Sequence, residues 1–187
     1  MTVPKRPAVF IDRDGTLAEE VDHLCRPEDT LLTPGVGQAI ANLNDRGIPV
    51  LVITNQAGIG KGKFGWDDYQ SVMGRLDELL HLDNAHIDGA YHCPFHPEAR
   101  DDYRHPNHPD RKPNPGMLLR AAEEHEIDLA RSWMIGDKTI DLEAGRNAGC
   151  KVALVRTGYG VVADESMADL VAVNLAEAIT KILEEWP

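Results

Sequence analysis

The chain has 187 residues, of which 42% are hydrophobic and 27% are charged, and its formal net charge is −12. This composition is typical of a folded domain and excludes an intrinsically disordered chain. The excess of acidic residues repels phosphate backbones, so nucleic-acid binding is excluded as the main function. No apolar run approaches the length of a membrane span, which excludes a membrane partner.

The three cysteines are odd in number and lie far apart, at positions 25, 93 and 150. They therefore indicate no disulfide framework. The N-terminal residues MTVPKRP lead into a short apolar run and show no signal-peptide pattern. We expect a cytoplasmic protein that acts as a monomer.

Short apolar runs alternate with helical patterns along the chain. The runs that predict strands are 9–11, 50–54, 90–93, 132–136, 152–155 and 170–173. The patterns that predict helices are 34–46, 66–82, 115–125, 140–148 and 175–186. This alternation predicts an α/β fold, with a doubly wound parallel sheet and helices on both of its faces. We expect residues 1–187 to form a single domain.

Two of the predicted helices show how the pattern is read. The second has an apolar stripe at helical spacing, made by Tyr69, Val72, Met73, Leu76, Leu79 and Leu80. Such a stripe predicts a face packed in the core. The last helix follows Asn174, a residue type that favours the N-cap position.

The first strand runs into a pair of carboxylates in the segment VFIDRDGTL, residues 9–17. Asp12 and Asp14 are two residues apart, so in an extended chain their side chains share a face and can act on one ligand. Oxygen ligands of this kind suit a divalent cation. A calcium loop of the EF-hand type is a poor match, because counting from Asp12 the glycine, Gly15, is at position four instead of six and His23 is at position twelve in place of glutamate. A solvated turn remains the alternative.

The second strand ends in Thr54, Asn55 and Gln56, and the glycine-rich stretch AGIGKGKF follows at 57–64. A hydroxyl and free backbone amides at a strand end are suitable donors to phosphate oxygens. The stretch is not a Walker A loop, because no Ser or Thr follows its lysines. A flexible turn with solvated lysines is the alternative.

Two further charged groups lie next to predicted helix starts. Arg111 and Lys112 can neutralise a phosphoryl group, although such pairs are also ordinary surface residues. Asp137 follows the fourth strand and suits a metal ion, with Lys138 beside it; alternatively Asp137 or Thr139 is only an N-cap. All four groups follow the carboxyl ends of strands, which meet at one crevice in a doubly wound sheet.

In their order, the motifs DRDGT, VITNQ, RKPNPGM and MIGDK resemble those of phosphatases of the haloacid dehalogenase (HAD) superfamily, and the resemblance spans residues 9–157. Within the superfamily, the motifs are most similar to heptose-bisphosphate phosphatases, with histidinol phosphatases as near relatives. This resemblance implies a three-layer α/β/α Rossmann-like fold without a large cap domain. The implied substrate is a small phosphorylated sugar.

The resemblance also implies a role for each motif. Asp12 would be the nucleophile that forms an aspartyl-phosphate, and Asp14 the acid and base for the leaving group and for water. Thr54 would hold phosphoryl oxygens, and Lys112 would neutralise developing charge. Mg²⁺ would lie between Asp12, the backbone carbonyl of Asp14 and Asp137. The residues implied for substrate binding are Arg13, Asn55, Gln56, Arg111 and Lys138.

The loop at 94–115, which holds six prolines and three histidines, departs from the family. Many relatives bind zinc there through a Cys-x-His pair and a later Cys-x-Cys pair. In this chain only Cys93 matches; Phe95 takes the second position, and His108 and Asp110 stand where the later cysteines would be. Another set, Cys93, His96, His105 and His108, has no regular zinc spacing. We therefore expect no structural zinc.

The segment AEEVDHLCRPED at 18–29 replaces the glycine-aromatic substrate loop of the family. Glu20, Asp22 and His23 can contact sugar hydroxyls, or they form a solvated acidic face. Two other classes of function are a receiver-like signalling module and a catalytically inactive binding protein. A receiver would need a phospho-acceptor aspartate where this chain has Thr54 and Asn55.

Overall fold

A computed structural model describes residues 5–186 of the chain. Its centre is one six-stranded sheet in which all neighbouring strands are parallel. The strands are β1 (Val9–Ile11), β2 (Val50–Asn55), β3 (Gly89–Cys93), β4 (Trp133–Gly136), β5 (Lys151–Val155) and β6 (Leu170–Ala172). The helices are α1 (Val36–Asp45), α2 (Ala57–Gly60), α3 (Trp66–His81), α4 (Gly116–Glu124), α5 (Thr139–Ala148) and α6 (Leu175–Glu185).

The predicted alternation of strands and helices is confirmed, including the N-cap of α6. There the Asn174 side chain accepts a hydrogen bond from the backbone N–H of Glu177 at 2.9 Å. One element, α2, was not predicted: part of the glycine-rich stretch after β2 forms a single helical turn. Its glycines lowered the helical signal of the sequence, but the turn is closed by backbone hydrogen bonds.

The sheet separates two apolar cores, as the pleat of a strand requires. Val9 and Ile11 of β1 belong to one core and Phe10 to the other. The first core is completed by α1, α3 and α6, and the second by α4 and α5. Helices therefore cover both faces of the sheet, which confirms the three-layer architecture.

The strand order is β3-β2-β1-β4-β5-β6. From β1 the chain adds β2 and β3 on one side, and it then crosses back and adds β4, β5 and β6 on the other side of β1. This reversal occurs between β1 and β4. In open parallel sheets, a crevice forms at the carboxyl ends of the strands where the order reverses. The topology therefore brings the segments that follow β1, β2 and β4 to one place.

The longer connections carry little regular structure of their own. Residues 12–35 and 94–115 each contain a single 3-10 turn, at Pro27–Asp29 and Asp101–Tyr103. Neither connection folds into a cap over the crevice, so the expected absence of a large cap domain is confirmed. Within residues 5–186, no helix has both the length and the apolar character that crossing a membrane requires.

Candidate active site

Three buried carboxylates converge at the carboxyl edge of the sheet. Asp12 follows β1, Asp137 follows β4, and Asp141 lies in the first turn of α5. Each offers one ligand oxygen within 4.8 Å of the other two. Among residues 5–186 this is the only such group of His, Cys, Asp or Glu side chains. The structure thus joins two of the predicted metal residues and adds Asp141, which the sequence analysis missed.

Asp141 could have been found from its spacing. It lies four residues after Asp137 in MIGDKTIDLEAG, so a helix that begins between them turns both side chains toward the same point. Asp141 Oδ2 also accepts a hydrogen bond from the backbone N–H of Lys138 at 3.0 Å, which caps α5. The same carboxyl group therefore starts the helix and enters the site.

Lys112 is the cation of this cluster. Its Nζ lies 2.7 Å from Asp12 Oδ1 and 2.6 Å from Asp141 Oδ1, and it donates to the Ile53 carbonyl at 2.8 Å. Only 2% of the residue is exposed. Burial by itself lowers the pKa of the Lys112 ammonium, but the charges of Asp12 and Asp141 outweigh burial and raise this pKa above its usual value.

The negative charge of the three carboxylates is still larger than the positive charge of the lysine beside them. Burial, and then the charge of Asp12, raises the pKa of Asp137 to about 7. The same two causes raise the pKa of Asp141 to about 6. Asp137 Oδ1 has no hydrogen-bond partner among the described residues. A buried carboxylate oxygen without a donor, beside two further carboxylates, is suited to a hard divalent cation such as Mg²⁺.

Two glycines allow the backbone to pass close to Asp137. A Cβ atom at Gly15 would lie 2.4 Å from Asp137 Oδ2, and one at Gly158 would lie 2.3 Å from it. Both residues have a positive φ, +84° and +53°. The Thr157 hydroxyl donates to the Gly15 carbonyl at 2.6 Å and holds the two segments together. The glycines of DRDGT and VRTG are thus required by space as well as by conformation.

The Asp14 carboxylate is not part of the three-carboxylate cluster. It is 20% exposed and pairs with the buried guanidinium of Arg13. Gln56 donates to Asp14 Oδ2 at 3.0 Å and to Thr54 Oγ1 at 2.8 Å. Asp14, the predicted acid and base, therefore contacts two predicted substrate-binding residues, Arg13 and Gln56. Gln56 also contacts Thr54, the predicted ligand of the phosphoryl group. The metal contact predicted for the Asp14 carbonyl stays a prediction.

The other predicted binding residues differ in what they contact. Asn55 exchanges two hydrogen bonds with the backbone of Lys112, at 3.1 and 3.0 Å, and so fixes the lysine. Arg111 is half-buried, and its Nη1 donates to the Phe95 carbonyl at 3.1 Å. Lys61, one of the two lysines of the glycine-rich stretch, pairs with Glu98 at 3.0 Å.

Lys138 lies on the wall of a cavity of about 350 Å³ beside Asp14. Its Nζ is 3.2 Å from Glu20 Oε2 and 3.6 Å from Asp137 Oδ1. The Tyr159 ring lies 4.7 Å from the same Nζ. Burial lowers the pKa of Lys138, but Asp12, Asp137 and the other acidic neighbours outweigh it and raise this pKa. The residues that line the cavity include Arg13, Glu20, His23, Asn55, Gln56, Phe64 and Tyr159.

The proline-rich loop at 94–115 is held by short-range contacts. Each of its three histidines precedes a proline and accepts a hydrogen bond at Nδ1 from the backbone N–H two residues later, at 3.0 to 3.2 Å. The rings of Phe95 and His108 stack, with centroids 3.8 Å apart and an interplanar angle of 3°. These two rings stand at positions where relatives have zinc ligands. Burial raises the pKa of the Cys93 thiol.

Comparison with known proteins gives consistent results for family and fold. A family model for HAD-hydrolase-like proteins matches residues 110–178. A D-glycero-D-manno-heptose-1,7-bisphosphate 7-phosphatase of Thermosynechococcus vestitus is 42% identical over 191 residues, covering 97% of this chain and 95% of its own. The D-glycero-beta-D-manno-heptose-1,7-bisphosphate 7-phosphatase of Escherichia coli K12 is 37% identical and covers 91% of each chain.

Solved structures with similar sequences share the whole fold. A HAD-like phosphatase from Mesorhizobium loti has a TM-score of 0.86 and 37% identity, covering 97% of this chain and 86% of its own. A D,D-heptose 1,7-bisphosphate phosphatase from B. bronchiseptica, complexed with magnesium and phosphate, has a TM-score of 0.85 and 30% identity. That comparison covers 96% of this chain and 99% of the other.

Proposed function

Because this chain belongs to the HAD-like hydrolase family and is a phosphoric monoester hydrolase, we propose that it removes the 7-phosphate of D-glycero-D-manno-heptose 1,7-bisphosphate. The product would serve as a precursor of nucleotide-activated heptose and of glycans. Relatives named for this reaction, at 37 to 42% identity over nearly the whole chain, support the choice of substrate. The catalytic mechanism and the identity of the sugar are two separate parts of this proposal.

The pairing of Asp12 with Lys112 carries the chemical part of the proposal. Asp12 is 4% exposed and lies at the carboxyl end of the central strand, with an ammonium 2.7 Å from Oδ1. The ammonium fixes the orientation of the Asp12 carboxyl group and would also attract the phosphoryl group toward it. A solvated turn would offer neither burial nor this partner.

The reaction proceeds in two displacements. Asp12 forms a bond to phosphorus while the bond between phosphorus and the sugar oxygen breaks, and Asp14 donates a proton to that oxygen. A water oxygen then forms a bond to phosphorus while the bond from phosphorus to Asp12 breaks, and Asp14 accepts the proton of the water. This step releases inorganic phosphate and restores the Asp12 carboxylate. Lys112 and Thr54 hold the phosphoryl oxygens as their negative charge is redistributed.

A metal ion fits the residues present. Asp12 and Asp137, with the Asp14 carbonyl, would hold Mg²⁺, and Asp141 supports the site through Lys112. When bound, the ion would neutralise the charge of the phosphoryl group and reduce its repulsion from the attacking carboxylate. The carboxylate oxygen of Asp137 that lacks a hydrogen-bond donor supports this assignment.

The sugar would occupy the cavity beside Asp14. Glu20 and His23, from the segment that departs from the family, line it together with Lys138. Burial raises the pKa of Glu20 even though Lys138 is beside it. A carboxylate accepts hydrogen bonds from sugar hydroxyls, and an imidazole can accept or donate them, which supports a polyhydroxylated substrate.

Phosphate release tests the proposal directly. The purified protein, with Mg²⁺ and with EDTA, is assayed on heptose 1,7-bisphosphate anomers, histidinol phosphate and other sugar phosphates. We expect Mg²⁺-dependent release that is fastest with a heptose bisphosphate, and no turnover by the Asp12→Asn variant. Preference for histidinol phosphate would replace the substrate assignment, while an active Asp12→Asn variant would contradict the nucleophile.

We also infer that the enzyme acts as a cytoplasmic monomer. Its three cysteines are all free, which supports a reducing compartment. Light scattering of the purified protein at assay concentration should give a mass near 20.6 kDa. A mass twice as large would contradict the monomer.

A further inference from the structure

Two buried side chains fix the Asp14 carboxylate by three hydrogen bonds. Arg13 Nε donates to Asp14 Oδ1 at 2.9 Å, and Arg13 Nη2 donates to Oδ2 at 3.0 Å. Gln56 Nε2 donates the third, to Oδ2 at 3.0 Å. Arg13 is 1% exposed and Gln56 is 3% exposed. A forked guanidinium contact of this kind fixes the orientation of a carboxylate as well as stabilising its charge.

The two side chains are themselves held in place. Arg13 Nη2 also donates to Gln56 Oε1 at 3.2 Å and to the Leu24 carbonyl at 3.4 Å. The Tyr69 ring lies 5.5 Å from the Arg13 guanidinium carbon. Asp14 is the carboxylate that pairs with this buried charge among the described residues. Since burying a charge without a partner costs free energy, the Arg13 side chain strongly prefers the position in which it pairs with Asp14.

Gln56 extends the network toward the phosphate. The same Nε2 that donates to Asp14 also donates to Thr54 Oγ1 at 2.8 Å. One amide therefore sets the distance between the side chain that transfers protons and the side chain that holds phosphoryl oxygens. Neither Arg13 nor Gln56 needs to contact the sugar for this effect.

We propose that Arg13 and Gln56 are positioning residues that hold Asp14 for proton transfer, a role separate from the substrate contacts expected from the sequence. The inference rests on the proposed function, because only that function assigns proton transfer to Asp14. A general acid contributes about 10²- to 10⁴-fold to a rate when it is well placed, and a displacement of about 1 Å can cost about 10²-fold.

The hydrogen bonds also identify the oxygen that carries the proton. Asp14 Oδ2 accepts two hydrogen bonds, whereas Oδ1 accepts one and keeps a free lone pair. When the bond from phosphorus to the sugar oxygen breaks, its electron pair stays on that oxygen, and Oδ1–H supplies the proton. Arg13 remains protonated and stabilises the carboxylate so formed. In the second displacement, Oδ1 takes a proton from the attacking water, and Asp14 is restored.

The test compares two leaving groups in the same variants. A sugar alkoxide needs a proton to leave, whereas p-nitrophenolate leaves without one. Gln56→Met keeps the side-chain volume and removes all three side-chain hydrogen bonds. We expect kcat/KM for heptose 1,7-bisphosphate to fall at least 10-fold more than kcat/KM for p-nitrophenyl phosphate. Asp14→Asn should give the same selectivity with a larger loss.

Two further variants separate positioning from stability. Val72→Ala weakens the core of α3 and should leave the ratio of the two kcat/KM values unchanged. Arg13→Lys keeps a charge but loses the forked contact, so it should show the same substrate selectivity as Gln56→Met. Arg13→Lys therefore tests the positioning role independently if thermal unfolding shows a low Tm for Gln56→Met.

Equal losses on both substrates in Gln56→Met and Arg13→Lys, with selective loss in Asp14→Asn, would overturn the positioning role alone. Equal losses in Asp14→Asn as well would overturn the proton-transfer role of Asp14 and the positioning role together.

Discussion

Lys112 balances the charge of the site at the scale of single residues. It contacts Asp12, which is 100 residues away in the chain, and Asp141. The three groups are almost completely buried, so each depends on the others for the neutralisation that water would otherwise supply. A phosphate entering the site would compete for the same ammonium, which links substrate binding to the local charge balance.

Replacing Lys112 with methionine should lower turnover by at least about 10²-fold, because a donor to the phosphoryl oxygens is lost. It should also lower the free energy of unfolding by about 3–5 kcal/mol, because the carboxyl groups of Asp12 and Asp141 stay buried without their cationic partner. Urea unfolding measures the second effect. Lys181→Met, which removes an exposed pair with Glu177, is the control and should cost about 0.5 kcal/mol or less. A Lys112 variant as stable as this control would contradict the charge balance.

Raised carboxyl pKa values predict how stability depends on pH when metal is absent. The pKa of Asp137 is raised to about 7 and that of Asp141 to about 6, so the folded protein binds protons that the unfolded chain releases at lower pH. The free energy of unfolding should therefore fall as pH rises from about 4 to about 7 in EDTA. The proposed Mg²⁺ would bind the ionised carboxylates and should therefore reduce this fall.

Urea unfolding at several pH values, with EDTA or with Mg²⁺, tests this expectation. Asp137→Asn serves as the control, because it cannot ionise and should flatten the curve in EDTA. A metal-free protein that becomes more stable between pH 5 and pH 7 would show that the pKa values of these two carboxyl groups are not raised.

At the scale of elements, the loop at 94–115 takes its shape from local contacts. Its histidines bond to the backbone through Nδ1, and Phe95 stacks on His108. Arg111, at the end of the loop, is tied to the carbonyl of Phe95. The loop therefore orients the segment that carries Lys112 into the site.

We expect the purified protein to contain far less than one zinc ion per chain. The positions that would complete the zinc set of relatives hold Phe95 and Asp110, and regular zinc sites use Cys and His at closer spacing. Elemental analysis of protein expressed with added zinc measures this. Stoichiometric zinc would contradict it.

Phe95→Ala should lower the free energy of unfolding by about 1–2 kcal/mol, because the stacked pair contributes beyond the apolar area that it buries. The same change should raise KM, since the backbone carbonyl that holds Arg111 loses its support. Phe95→Leu keeps most of the volume and should recover part of the stability but not the stacking. Urea unfolding and steady-state kinetics measure the two effects, and an unchanged Phe95→Ala protein would show that the stack does not hold the loop.

At the scale of the molecule, one sheet with two cores connects all elements, and no cap encloses the site. Residues from two strand ends and from the first turn of α5, separated by more than a hundred positions, form the carboxylate cluster. The protein is acidic overall, and at the crevice Lys112, Lys138 and Arg13 are each paired with carboxylates that outnumber them. The approach of an anion to a protein of net charge −12 would therefore depend on the cation that the proposed function assigns to this site.

The single domain expected for residues 1–187 predicts one cooperative unfolding transition. Calorimetry should give equal calorimetric and van't Hoff enthalpies, because the two cores share the same sheet and cannot separate. Near-ultraviolet and far-ultraviolet circular dichroism should change together. Two resolved transitions would show that the loop at 94–115, or another part, unfolds by itself.

The sequence by itself determined the elements and the proposed nucleophile. Apolar periodicity is a local property, so strands and helices could be located from the sequence. The motif DRDGT marks Asp12, because carboxylates at the end of a strand can be recognised within a segment of nine residues. Only the tertiary structure decided which groups meet. The contacts of Lys112 with Asp12 and Asp141 and the inward orientation of Arg13 depend on strand order and on burial. These arise from packing between segments far apart in the chain, and no local pattern contains them.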